Sequence, residues 1–131
     1  MDKREYQRVN VSATGAFYLK KDDELLGTFE GSITDISEGG VKIEADFSKY
    51  GSLLECVEPG EKISFQAMEE YSLYEMMRRD IVNGDAEAVH KELVGNVVSI
   101  GCRIKRLSPS MQKYVENRKL SVFIAELHGM V

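Results

Sequence analysis

The chain has no tryptophan, only two cysteines and no long apolar run. Cys56 and Cys102 are too few to scaffold 131 residues, so reduced thiols in a cytoplasmic protein are expected. No stretch approaches the ~18 apolar residues of a membrane-spanning helix, so no membrane insertion is expected. The opening MDKREYQR is charged where a secretion signal would be apolar. A net charge of −5 lacks the broad basic field that a nucleic-acid polymer needs, and tryptophan is missing as a stacking platform. His90 and His128 have no Cys/His spacing of a zinc site, so no metal is expected. Neither a Gly-x-x-x-x-Gly-Lys phosphate loop nor a Gly-x-Ser-x-Gly nucleophile motif occurs. Ser37 has no evident histidine base, which argues against an enzyme.

What is present is a globular composition, 43% hydrophobic and 30% charged, at a length suited to one domain over 1–131. Val11, Ala13, Gly15, Phe17 and Leu19 fall at every second position, which turns them to one face of a strand. Gly15 lies midway, where a closing barrel needs a bend. KKDDE at 20–24 is a polar turn, and Leu25, Gly27, Phe29, Gly31 and Ile33 repeat the inward alternation. Then the parity fails, because Ile36 follows Ile33 by three positions. An undisturbed strand would drive Asp35 into the core, which is too costly for an unpaired carboxylate. The chain must therefore twist or turn at 34–40. Alternation resumes at Val41, Ile43 and Ala45.

Residues 46–61 read as a loop with a short ordered piece ending at Pro59-Gly60, and 62–68 as a strand. Tyr71, Tyr74, Met77 and Ile81 follow three- and four-residue spacing, which predicts an amphipathic helix over 69–82. Asn83-Gly84 would end it, and Asp85 would cap a second short helix through His90. Together these predict a helical insertion over 69–92. Residues 92–107 return to β-type sequence, and Ser108-Pro109 predicts a short helix near 109–117. KLSVFIAEL at 119–127 supplies a final strand. Short strands with two helical interruptions favour a small antiparallel barrel over a doubly wound sheet.

Two polar clusters stand out. DISEGG at 35–40 has the residues of an ordinary hairpin, with Asp35 and Ser37 bonding nearby amides and glycines supplying positive φ. REYQR at 4–8 has the look of a solvated chain end. Considered together they gain meaning. Arg8 immediately precedes the first strand and Asp35 ends the second, so an antiparallel pair brings both to one rim. That rim offers guanidinium groups, a carboxylate, a hydroxyl and glycine backbone. A local cationic cluster of this kind holds a small anion even on an acidic protein.

Arg4-x-x-x-Arg8 followed by Asp35-x-Ser37-x-x-Gly40 resembles the signature of the PilZ domain family. The resemblance covers most of 4–68 and, less clearly, 93–127. It implies a six-stranded antiparallel β-barrel, here with short helical insertions, that binds cyclic di-GMP, a bacterial second messenger. It implies that Arg4 and Arg8 belong to an arm, residues 1–8, that closes over the ligand. Asp35 and Ser37 would hold a guanine on the barrel surface. Gly40, with Gly39, would let a base approach the backbone, and Lys3 would add a phosphate contact. The chemistry is consistent. An arginine fork pairs with phosphate or with guanine O6 and N7, and a carboxylate matches the guanine N1–H and N2 edge. Lysine lacks that planar fork.

Three features depart from the family pattern. The 69–92 insertion and the 107–118 piece both exceed the usual link between the later strands, and no long C-terminal helix follows the last strand. Tyr71, Tyr74, Met76, Met77 and Ile81 are expected to pack over a barrel opening. The resemblance implies a non-enzymatic receptor that acts on an unidentified protein partner, with no cofactor beyond the ligand. Two alternatives stand beside it: an interaction module of the same fold that does not bind nucleotide, and a barrel for single-stranded nucleic acid.

Overall fold

Period-two alternation builds the first half of the molecule. In the computed structural model, which describes residues 8–129, β1 (Val9–Lys21), β2 (Glu24–Ile36) and β3 (Gly40–Asp46) are successive antiparallel neighbours. Val11, Ala13, Phe17, Leu19, Phe29, Ile33, Val41, Ile43 and Ala45 are all buried, as the alternation requires. Leu25 is the exception and lies exposed near the β1–β2 tip. Asp22 and Asp23 form that tip with φ of 50° and 66°, the two-residue turn whose twist suits antiparallel strands.

β4 (Lys62–Leu73), β5 (Met76–Val94) and β6 (Val97–Arg103) complete a closed barrel in the order β1-β2-β3-β6-β5-β4. Closure gives every strand two neighbours, with β1 meeting β4 over Thr14–Lys20 and Lys62–Met68. It depends on Gly15, where a Cβ would overlap the Gln66 carbonyl oxygen of β4 and lie 2.6 Å from the Ala67 Cα. Inside the barrel, Phe17 stacks on Phe29 at 5.3 Å and meets Phe65 at 5.9 Å.

The helical reading of 69–92 is overturned, because this segment is the β4–β5 hairpin. Tyr74 and Glu75 make its tip, with φ of 54° and 62°. These residues carry no glycine or asparagine, so the turn left little trace in the sequence. The alternation was hidden by one residue. Ala67, Glu69 and Tyr71 all face inward, and Glu69 is a carboxylate where an apolar side chain is expected. Of the residues expected to pack over a barrel opening, Tyr71 is buried on β4, whereas Tyr74, Met76, Met77 and Ile81 are exposed.

The strand expected at 119–127 is instead the second half of a long helix. α1 (Phe47–Glu55) is capped by Asp46, which accepts from the Ser48 N–H at 2.9 Å, and buries Leu54. α2 (Pro109–Gly129) begins where Ser108-Pro109 predicts, with Ser108 Oγ accepting from the Met111 N–H at 3.2 Å. Nothing breaks it before Gly129, so the short helix expected near 109–117 runs on through the expected strand as a 21-residue C-terminal helix, of a length that was not expected. Its first turns bury Met111, Tyr114 and Val115 against the barrel. Gly84 of β5 makes room for this packing, since a Cβ there would collide with Met111.

Candidate functional site

A bulge sets up the site. In the β2–β3 ladder Ile33 pairs with Ile43 and Asp35 with Lys42, which leaves Thr34 as the extra residue. Ile33 and Ile36 are therefore both fully buried, while Asp35 is turned out of the core. This bulge is the physical form of the parity failure seen in the sequence. β1 carries a matching irregularity between Asn10 and Ala13. On the outer side, Arg8 Nη1 lies 3.6 Å from Asp35 Oδ2. The antiparallel β1–β2 pair thus brings these two groups to one rim.

The turn after Asp35 is closed from within. The Ser37 N–H donates to the Gly40 carbonyl at 3.0 Å, and Ser37 Oγ accepts from the Gly39 N–H at 3.2 Å. The Gly39 carbonyl accepts from the Ile104 N–H at 3.0 Å. Ser37 is buried, so its hydroxyl shapes the loop. The positive φ expected of these glycines is absent: among the described residues, only Gly60 and Gly95 are glycines of that kind. Gly40 is small for another reason. A Cβ there would lie 2.6 Å from the Cys102 carbonyl oxygen on β6, so the glycine allows β3 and β6 to approach. Arg4 and Lys3 lie outside the described residues.

Glu38, at the tip of the same turn, ion-pairs with Lys119 of α2. The hydrogen bond from Lys119 holds the Glu38 carboxyl below its ordinary value of 4.5. The signature loop is thereby tied to the C-terminal helix. Sequence reasoning missed this contact because Lys119 had been placed on a strand.

From Asp35 the outer surface continues sideways. The registers align Asn10, Asp35, Lys42, Gly101 and His90 in one row across five strands. A second bulge, between Ala88 and His90 of β5, brings His90 into that row. Arg8, Asp35, Gly40, Lys42, Gly101 and His90 line a cavity of about 270 Å³. A larger hollow of about 1040 Å³ is lined by Glu30, Glu44 and Asp46, with Lys49 as its cation. That balance of charge disfavours an anion, whereas the smaller cavity sets two cations, Arg8 and Lys42, against Asp35 and Glu92. Among the described residues, no group of three or more His, Cys, Asp or Glu side chains is placed to hold a metal, and no helix is long and apolar enough to cross a membrane. Cys102 faces the core, and burial pushes its thiol up to about 12.

A family model described as PilZ domain matches residues 2–118. Among solved structures, the chain is similar to the PilZ domain of YcgR from Escherichia coli, solved with c-di-GMP. That match has a TM-score of 0.57 and 17% identity, covering 99% of this chain and 100% of that one. The chain is also similar to the Bacillus subtilis inhibitor of motility MotI/DgrA. There the TM-score is 0.58 with 12% identity over 92% of this chain and 53% of that one, so the chain spans about half of that protein. No curated protein matches the sequence. At these identities the structural likenesses speak to the fold.

Proposed function

The chain belongs to the PilZ domain family, and from that premise we propose that it is a non-enzymatic receptor for cyclic di-GMP. The observation that carries this reading is the meeting of Arg8 and Asp35, 3.6 Å apart, on the rim beside the Ser37–Gly40 turn. Asp35 accepts from the N1–H and N2 amino group of a guanine. Arg8 leaves its present ion pair to bind a phosphate or the O6 and N7 acceptors of the base. Arg4 and Lys3 add charge from the preceding residues, and Lys42 neutralises phosphate from β3. Ser37 and Gly40 hold the backbone that aims Asp35. Their contribution is positional, since the hydroxyl closes the turn and the missing Cβ permits strand contact.

Nucleotide binding favours the conformation in which the arginine arm is closed, and the surface presented to a protein partner changes with it. The expected setting is bacterial second-messenger signalling, with motility, polysaccharide or biofilm as output. Titration calorimetry on Arg8→Ala and Asp35→Ala tests the site, with circular dichroism as the check on folding. Both variants are expected to stay folded and to lose tight binding. Wild-type affinity in both overturns the assignment.

One observation favours the second reading, an interaction module of the same fold. Tyr74, Met76 and Met77 at the β4–β5 tip and Phe123 of α2 are all more than half exposed. Apolar surface of this kind suits a protein contact. Under that reading alone, wild-type protein shows no heat of binding with micromolar cyclic di-GMP.

A further inference from the structure

Of the described signature residues, Arg8 precedes β1, Asp35 and Ser37 lie at the end of β2 and just after it, and Gly40 begins β3, yet the cavity beside them reaches β5. Its far side is formed by Val89, His90 and Glu92 of β5, none of them in the signature. The two bulges have one joint effect: each turns a polar side chain out of the barrel, and the registers set both in the same transverse row. Between Asp35 and His90 in that row stand Lys42 and Gly101. The position of Gly101 explains how the imidazole is seated. A Cβ on Gly101 would overlap the imidazole Cε1 and lie 2.7 Å from Nδ1 and 2.8 Å from Nε2. The ring fills the space that any other residue at 101 would occupy, and so leans from β5 over β6 toward the arginine–aspartate pair.

We propose that His90 forms the far wall of the nucleotide site, stacking on one purine of the ligand, and that Gly101 is a glycine in order to seat it. This inference rests on the cyclic di-GMP reading given above. Three strand spacings of ~4.8 Å put the backbones of Asp35 and His90 about 14 Å apart. The lean across β6 brings the ring nearer by about one strand spacing, ~4.8 Å, which puts one base within reach of both groups. The cavity of about 270 Å³ is large enough to take one base. Histidine and arginine both offer planar faces on which bases stack. Asp35 then reads the hydrogen-bonding edge of the base while His90 contacts its face.

Calorimetry with cyclic di-GMP on the full chain tests this. His90→Ala is expected to bind about 5- to 150-fold more weakly, the range of one base–aromatic stack. His90→Phe, which keeps a flat ring, stays close to wild type. Gly101→Ala displaces only the flexible imidazole, so it folds and shows the same loss as His90→Ala. The double variant is expected to be no weaker than either single one, since both remove the same contact. His90 ring protons are expected to shift in NMR spectra of the wild type when ligand is added. Unchanged or tighter binding by His90→Ala, with wild type binding normally, overturns the inference and leaves the receptor reading intact. No binding by wild type overturns both.

Discussion

The buried carboxylate of Glu69 accepts a hydrogen bond from the Tyr114 hydroxyl at 2.7 Å, which joins strand β4 to helix α2 inside the core. Its other oxygen accepts from the Ser12 N–H of β1 at 2.9 Å, and Arg118 lies 2.9 Å away as counter-ion. Arg118 also sits over the Tyr71 ring, 4.5 Å from its centroid. Burial, with Glu69 adding to it, pushes the Tyr114 hydroxyl well up, so it stays a donor at neutral pH. Removing the acid strands Arg118 and two donors. Glu69→Ala is expected to cost about 3 kcal/mol, and Tyr114→Phe about 1 kcal/mol. Urea unfolding followed by circular dichroism measures both.

Gly15 marks the tightest seam of the barrel, where β1 passes the Gln66 backbone. Gly15→Ala sets a methyl group against backbone atoms that cannot rotate away. The expected loss is about 3 kcal/mol or more, at the upper end of overpacking effects. Thermal unfolding gives the value, and wild-type stability in this variant contradicts the barrel closure described here.

The Glu38–Lys119 pair makes one contact acid-sensitive. Its carboxyl is held below 4.5 in the folded chain, so its contribution is present above that value and is lost as pH falls through the depressed folded one. Amide hydrogen exchange in the 36–40 turn and the second half of α2, corrected for its intrinsic pH dependence, is expected to rise relative to the rest of the chain on acidification. In Lys119→Ala, that rise is already present at neutral pH and the step at acid pH disappears.

The two thiols are expected to react differently. Cys56 is exposed, whereas Cys102 is buried with its thiol pushed up to about 12. A thiol reagent at neutral pH is expected to label one cysteine quickly and the second only after denaturant is added. Equal labelling of the native protein contradicts the burial of β6.

The parts of the fold that could be read from sequence were those governed by strict alternation. Residues 9–21 and 40–46 carry apolar residues on one face and polar ones on the other, and they are strands. The break at Asp35 was legible as a break, and its form, a bulge at Thr34, needed the ladder register. The β4–β5 hairpin was misread because Glu69 faces inward and because exposed Tyr74, Met77 and Ile81 imitate a helical stripe. The second half of α2 was misread because KLSVFIAEL, taken alone, is as apolar as a buried strand. At the site, the nearness of Arg8 to Asp35 followed from hairpin connectivity. His90 and Lys119 did not, since each comes from a segment whose secondary structure was misassigned.

The receptor reading is tested most directly by titrating the full wild-type chain with cyclic di-GMP in a calorimeter, with linear GMP as control. The account predicts saturable binding of cyclic di-GMP in the micromolar range or tighter, absent with GMP and abolished by Asp35→Ala. A flat titration with folded wild-type protein, or equal binding by Asp35→Ala, contradicts it.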